Sequence, residues 1–175
     1  MTRFLWAVCC ALLSMPAWAQ RAKPPGCPAR PAECQASLPV FDFGRQLMGS
    51  TAAPVYAHNT VTVTCTRSPL ASGRSVEVNY VLKAEPAEPT RSMRNRDGNY
   101  LRYYLFLDPA RTRHWGDGFQ FGTFAIQGSL FLDERNRVGT LAHVVYGKVD
   151  GQQYAQTGPM LGATVNRLEY TVNCR

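Results

Sequence analysis

From Leu101 onward the apolar residues fall on alternate positions, Leu101, Tyr103, Leu105 and Leu107, with Arg102 between the first two and the aromatic pair Tyr104 and Phe106 on the other face. A period of two marks a β-strand. Bulky residues on both faces predict cover from both sides, inside a sandwich. Asp97-Gly98 precedes this strand as a turn pair, and Asp108-Pro109 ends it, because proline offers no N–H to the ladder. The next stretch, His114-Trp115-Gly116-Asp117-Gly118, predicts a tight loop carrying one large anchor, Trp115.

The same alternation recurs along the chain. Residues 58–66 place Val61, Val63 and Cys65 on one face and threonines on the other, and residues 75–82 set Val76, Val78, Tyr80 and Leu82 against Ser75, Glu77 and Asn79. A proline-rich stretch, 85–90, closes that second strand. Residues 34–44 predict a short strand interrupted at Pro39 and closed at Gly44, with 45–57 as loop. Two shorter strands are expected at 119–124 and 126–132, with bends at Gly122 and Gly128, then a polar turn at Arg135-Asn136-Arg137 and a strand at 141–146. Residues 151–162 read as loop, and 163–173 as a last strand with Leu168, Tyr170 and Val172 on one face. Past residue 19 no segment repeats its apolar residues at helical spacing over three turns. Roughly seven short strands separated by turns predict an all-β fold, an immunoglobulin-like β-sandwich.

Residues 1–19 break the pattern. Arg3 is followed by an apolar run from Phe4 to Leu13, too short to span a bilayer, and Ala17 and Ala19 are the small residues a signal peptidase accepts. The reading is a signal peptide, a mature start at Gln20, and export through the periplasm to the cell surface or beyond, in preference to an uncleaved anchor. Cys9 and Cys10 fall in the removed part, and Val8 is not the small residue that a lipoprotein signal places before its cysteine. Residues 20–33 hold four prolines and no apolar alternation, which predicts an extended arm that pairs poorly. Residues 34–175 then make one domain. Removing the first 19 of 175 residues leaves 156, enough for a single core, with no integral membrane segment among them.

Export changes what the cysteines and the charge mean. Cys27, Cys34, Cys65 and Cys174 survive maturation, an even number in an oxidising compartment, which predicts two disulfides in one of three pairings. Zinc is disfavoured, since the cysteines lack close paired spacing and His58, His114 and His143 are scattered. The formal charge of +7 drops by one with Arg3. In a cytosolic chain that excess would point to nucleic acid. Here export and the dispersal of Arg and Lys predict a solvated basic surface and no nucleic-acid partner.

Catalytic patterns are missing from the sequence: there is no Gly-x-Ser-x-Gly elbow, no phosphate loop and no carboxylate pair standing apart from turns. His114, Trp115 and Asp117 could be drawn as a catalytic cluster, but Trp115 reads more simply as a loop plug and Asp117-Gly118 as a turn. Asp133-Glu134-Arg135-Asn136 offers too few spaced oxygens for calcium. No catalytic residue, metal or cofactor is expected. A glycan-binding surface built from Tyr100, Tyr103, Tyr104, Phe119 and Phe121 is the rival, although alternation places most of these rings in the core.

Several stretches, taken in order, resemble the spore coat protein U-like domain family, whose members include subunits of archaic chaperone-usher pili. They are Cys34 through Asp42-Phe43-Gly44, Val61-Thr-Val-Thr-Cys65-Thr66, Arg91-Ser-Met93, Leu101 through Asp108, His114 through Gly118, Tyr146-Gly147, Gly158 through Val165, and Thr171-Val172. The likeness spans nearly all of residues 34–174. The structural motif residues it marks are Tyr103, Leu105, Asp108, Trp115, Gly116, Asp117 and Gly118.

The resemblance implies a pilin domain that lacks its last strand, is held by a periplasmic chaperone, passes an outer-membrane usher and is completed by the N-terminal extension of another pilus subunit. It also implies a bridge between Cys34 and Cys65, and with it one between Cys27 and Cys174. A missing strand would leave about five apolar side chains uncovered, a deficit on the order of 10 kcal/mol. That matches the whole stability of a typical domain, and strand addition is the remedy. Polymerising members of the family carry an N-terminus with alternating apolar residues, whereas residues 20–33 have none, so the expected subunit accepts a strand without donating one and sits at a tip or terminus. The functional expectation is a structural and adhesive pilus subunit. The alternative is a self-contained secreted binding protein on the same sandwich.

Overall fold

The computed structural model describes residues 27–37, 40, 41, 43, 53–71, 73–94, 100–151, 153 and 165–175. The expected signal segment, residues 20–26 of the arm, Pro39, Gly44, Asp97-Gly98 and most of the 151–162 stretch lie outside these. Within them run β1 (Ala32–Ser37), β2 (Val55–Arg67), β3 (Val76–Glu85), β4 (Thr90–Arg94), β5 (Tyr100–Phe106), β6 (Ile126–Leu132), β7 (Val138–Val149) and β8 (Val165–Cys174), with one short 3-10 turn, Pro69–Ala71. They form two antiparallel sheets, β1-β2-β7-β5-β4 and β6-β3-β8, packed as a sandwich.

Alternation builds the core directly. Val61, Val63 and Cys65 of β2 face Val76, Val78, Leu82 and Ala84 of β3 in the interior, all fully closed to solvent. Leu101, Tyr103 and Leu105 of β5 and Val145 and Val149 of β7 complete the same cluster. One polar pair crosses the sandwich. Tyr80 of β3 reaches over Gly128, its partner in β6, and its hydroxyl lies 2.6 Å from Nε2 of His143 on β7. Gly128 is required there by space: a Cβ would fall 2.3 Å from the Tyr80 hydroxyl.

The structure departs from the sequence reading in several places. Residues 119–124 are not a strand. Asp117 accepts hydrogen bonds from the backbone N–H of Phe119 (2.9 Å) and Gln120 (2.8 Å), and Phe121 and Gly122 take positive φ, so the backbone turns tightly. Phe124 alone keeps a bridge, to Trp115. The short segment β4, and the starts of β2 at Val55 and β1 at Ala32, were not legible, because local composition there is proline-bounded or lacks alternation. β7 is longer than the expected 141–146 and pairs with β2 from end to end. β5 is covered by the core on one face only. On the other face Tyr100 and Arg102 are exposed, Tyr104 is half-buried, and Phe106 is covered by the ring of His114 at 4.5 Å.

That geometry also redistributes the five aromatic residues of the glycan reading. Only Tyr103 is in the core; Tyr100, Phe119 and Phe121 are 59%, 90% and 61% exposed. Alternation fails to place Phe119 and Phe121 because they ride a turn, and Tyr100 because it points outward from its strand.

Gly128→Ala should force the buried Tyr80 ring aside and destabilise the protein by about 1 to 3 kcal/mol, read as a lower midpoint in denaturant; an unchanged midpoint would contradict the close packing. Acid should act through the half-buried imidazoles. Burial holds His143 below its ordinary value of 6.5, and at His114 burial and then Arg91 do the same. The unfolded chain takes up these protons first, so stability is full above about 6.5 and declines as the pH falls below it toward the lower folded values. Melting temperature is expected to drop across that window, and to drop less in His143→Gln; equal slopes in both proteins would remove His143 from the account.

Candidate functional site

Both sheets end on the same side of the sandwich, β1 closing one and β8 the other, and the two edge strands lie close to each other. β1 pairs only with β2 and β8 only with β3 among the described residues. In β8 the inward positions Leu168, Tyr170 and Val172 stand opposite Leu82, Tyr80 and Val78 of β3. The β3 partners are shut off from solvent, whereas Leu168 and Val172 are half-buried and Tyr170 is 39% exposed. The same contrast holds across the other sheet. Cys34 and Ala36 of β1 are half-buried, while their register partners Cys65 and Val63 are closed. Apolar side chains that face the core yet stay half-exposed thus line two adjacent edges, a candidate groove whose outer backbone donors and acceptors have no strand partner among the described residues.

Two further features belong to this groove. The Oδ1 of Asn166 on β8 is buried and has no hydrogen-bond partner among the described residues, an acceptor whose burial costs free energy until an N–H reaches it. At the opposite end of β8, Cys174 is joined to Cys27, just upstream of β1, while Cys34 and Cys65 staple β1 to β2 at a register pair. The lead-in to β1 is therefore fixed to the last residues of β8, beside one mouth of the groove. Ion pairs flank the other face of the small sheet: Lys83 with Glu169 at 2.7 Å and Arg175 with Glu77 at 2.6 Å.

The motif residues Tyr103, Leu105, Asp108, Trp115, Gly116, Asp117 and Gly118 are gathered away from that groove, around the connection between β5 and β6. Trp115 is fully buried; its backbone N–H donates to the Leu105 carbonyl (2.8 Å) and its indole N–H to the Leu82 carbonyl (3.2 Å), so this one residue ties β5 to β3 across the sandwich. Gly116 sits so tightly that a Cβ would meet Thr123 at 2.4 Å. Asp108 accepts from the backbone N–H of Arg113 (2.7 Å) and Thr112 (3.0 Å), and Asp117 caps its own turn; these bonds hold both carboxyls below the usual carboxylate range. Gly118, at φ 79°, supplies the left-handed step that follows.

His114 packs on Phe106 and Tyr104, while the Asp117 carboxylate is engaged by its own loop, so the two do not form a catalytic pair. Asp133 likewise accepts from the N–H of Arg135 and Asn136 as a turn cap. Among the described residues no group of three or more His, Cys, Asp or Glu is arranged to hold a metal, and no helix is long and apolar enough to cross a membrane. Arg91 was missed as a structural residue. It is buried, and its guanidinium donates to the carbonyls of Trp115 (2.7 Å), Pro86 (3.2 Å) and Pro89 (3.3 Å), locking the 86–89 turn to the Trp115 loop. Its place on the alternating face beside Met93 was the available signal. Asn166 had none, since a polar residue at a strand start reads as a surface position.

The Spore Coat Protein U domain model matches residues 27–162, a span that takes in Cys27 and β1 through β7 but stops before β8. No curated protein matches the chain. Domains of this kind are associated with archaic chaperone-usher pilus subunits, exported structural components of surface fibres. With this match over most of its length, the chain belongs to the Spore Coat Protein U domain family.

Proposed function

We propose that this protein is a structural and adhesive subunit of a chaperone-usher pilus and that its β1/β8 groove receives a strand from another chain. The observation that carries the reading is the half-exposure of Leu168, Val172 and Ala36 beside fully closed partners. A strand inserted there would pair with the free edge of β8, cover these side chains and offer an N–H to Asn166. Covering about five such side chains is worth on the order of 10 kcal/mol before ordering costs. In the periplasm a chaperone would fill the groove first, and the usher would exchange it for a subunit's extension. Residues 1–19 serve as the export signal in this reading, residues 20–33 as the arm and 34–175 as the pilin domain.

The subunit accepts without donating. Residues 20–33 carry four prolines, which cannot donate to a ladder, and the Cys27–Cys174 bridge holds the arm against its own domain. Such a subunit belongs at the tip or terminus of the fibre. The bridge closes a loop of 147 residues in sequence separation, a constraint worth roughly 5 kcal/mol in the chain-entropy model.

Expressed alone in the periplasm, the mature chain should aggregate or come out bound to a chaperone, and Val172→Glu should reduce recovery of the chaperone complex at least tenfold. A monomer that purifies unaided and unfolds cooperatively would instead favour a self-contained binding protein. A peptide of residues 20–33 should fail to bind any acceptor subunit of the same fibre; saturable binding would remove the placement at an end.

A further inference from the structure

The outer face of the five-stranded sheet carries a second feature, unrelated to the groove. Where β5 runs past the end of β7, Tyr100, Arg102 and Tyr104 project from one face, and with Ser92, Asp150 and Gln153 they line an open cleft of about 580 Å³. Its floor is fixed. The Gln153 carboxamide accepts from the Arg102 N–H (2.7 Å) and donates to the Arg102 carbonyl (2.8 Å) and to the Asp150 carbonyl (3.1 Å). Asp150 is held by Lys148 at 2.7 Å, and the Tyr104 ring is braced by Phe106 and His114.

The chemistry of the cleft is specific in three respects. Tyr100 is 59% exposed on a strand whose inward neighbours are closed, so it stands on a rigid support. Arg102 is exposed, and no carboxylate pairs with it among the described residues, because Asp150 is taken by Lys148. The two tyrosines are four residues apart on one strand, roughly 13 Å along it, with Arg102 at the position midway between them. That spacing suits an oligomer of several rings, with each terminal ring lying on a tyrosine and a negative group at the centre. Guanidinium binds carboxylate in a two-pronged fashion, and tyrosine gives broad contact at low entropic cost. The Asp150 carboxylate, paired with Lys148, keeps lone pairs that can accept from sugar hydroxyl groups.

We propose that this cleft binds an acidic oligosaccharide, a uronate-bearing chain of about three residues, by stacking on Tyr100 and Tyr104 and pairing with Arg102. The cleft is shallow, so a single site binds in the millimolar range, and binding to a surface rests on several copies acting together.

The test uses the full mature chain, oxidised and in its complex with chaperone or partner strand. It is titrated with trimers of galacturonate and of mannuronate, with the methyl-esterified galacturonate trimer, and with a thymidine trinucleotide. Saturable binding of at least one uronate trimer is expected, weakened tenfold or more by Arg102→Gln, by Tyr100→Ala and by methyl esterification of the sugar. A cooperative melt and an unchanged far-UV spectrum certify that each variant is folded. Absence of binding to both uronates, equal affinity for the esterified trimer, equal affinity for the trinucleotide, or folded variants that bind like the parent would each overturn the assignment.

Discussion

Among the described residues β8 has β3 on one side alone, and its inward side chains Leu168 and Val172 stay half-buried where those of β3 are closed. Most of what is distinctive in this molecule follows from that imbalance. The side chains of β3 are sealed while those opposite them on β8 are not, and β1, the corresponding edge of the larger sheet, shows the same step from closed to half-open. The core is therefore complete in its centre and graded toward one flank. An edge of this kind, whose outer backbone groups have no strand partner among the described residues, is what the proposed strand acceptance rests on.

The opposite flank is handled in another way. There the chain spends residues 107–125 on irregular structure, with Phe119 and Phe121 exposed, while Trp115 fills the interior and bonds to both sheets. Asp108 and Asp117 hold the two turns on either side of the tryptophan, and Arg91 reaches in from β4 to satisfy the Trp115 carbonyl. Loop backbone can run beside a core only when its polar groups are paired in this manner. One side of the sandwich is thus filled by Trp115, and on the other the inward positions of β1 and β8 stay half-buried among the described residues.

The disulfides follow the same division. Cys34–Cys65 strengthens the attachment of the edge strand β1 to β2, and Cys27–Cys174 anchors the segment leading into β1 to the end of β8. Neither lies near the Trp115 loop. Covalent bonds are placed where hydrogen-bonded neighbours are fewest, along the flank where the noncovalent core is thinnest. The outer face of the large sheet is a separate surface. It carries threonines on β2 and aromatic and cationic side chains on β5 and β7, and Arg111, from a left-handed position in the connection after β5, lies over Tyr56 of β2 at 4.1 Å.

Much of the fold was legible because strand periodicity is a local property: Val61-Val63-Cys65, Val76 through Leu82 and Leu101 through Leu105 each announce which face is buried without reference to the rest of the chain. The same reasoning identified Trp115 as an anchor and Asp117-Gly118 as a turn. Local pattern failed at 119–124, where an aspartate cap and positive φ override an apolar, aromatic sequence, and at Tyr100, whose side of the strand depends on which sheet covers it. It also failed for Arg91 and Asn166, since partners 24 residues away, or absent, leave no mark on neighbouring positions. The sequence alone determined that this is an all-β sandwich and which strand faces are apolar. Which of those faces is left half-covered, and which polar side chains meet on the outer sheet, was decided only by the tertiary structure, because coverage depends on strand order, and strand order is set by pairings between segments far apart in the chain.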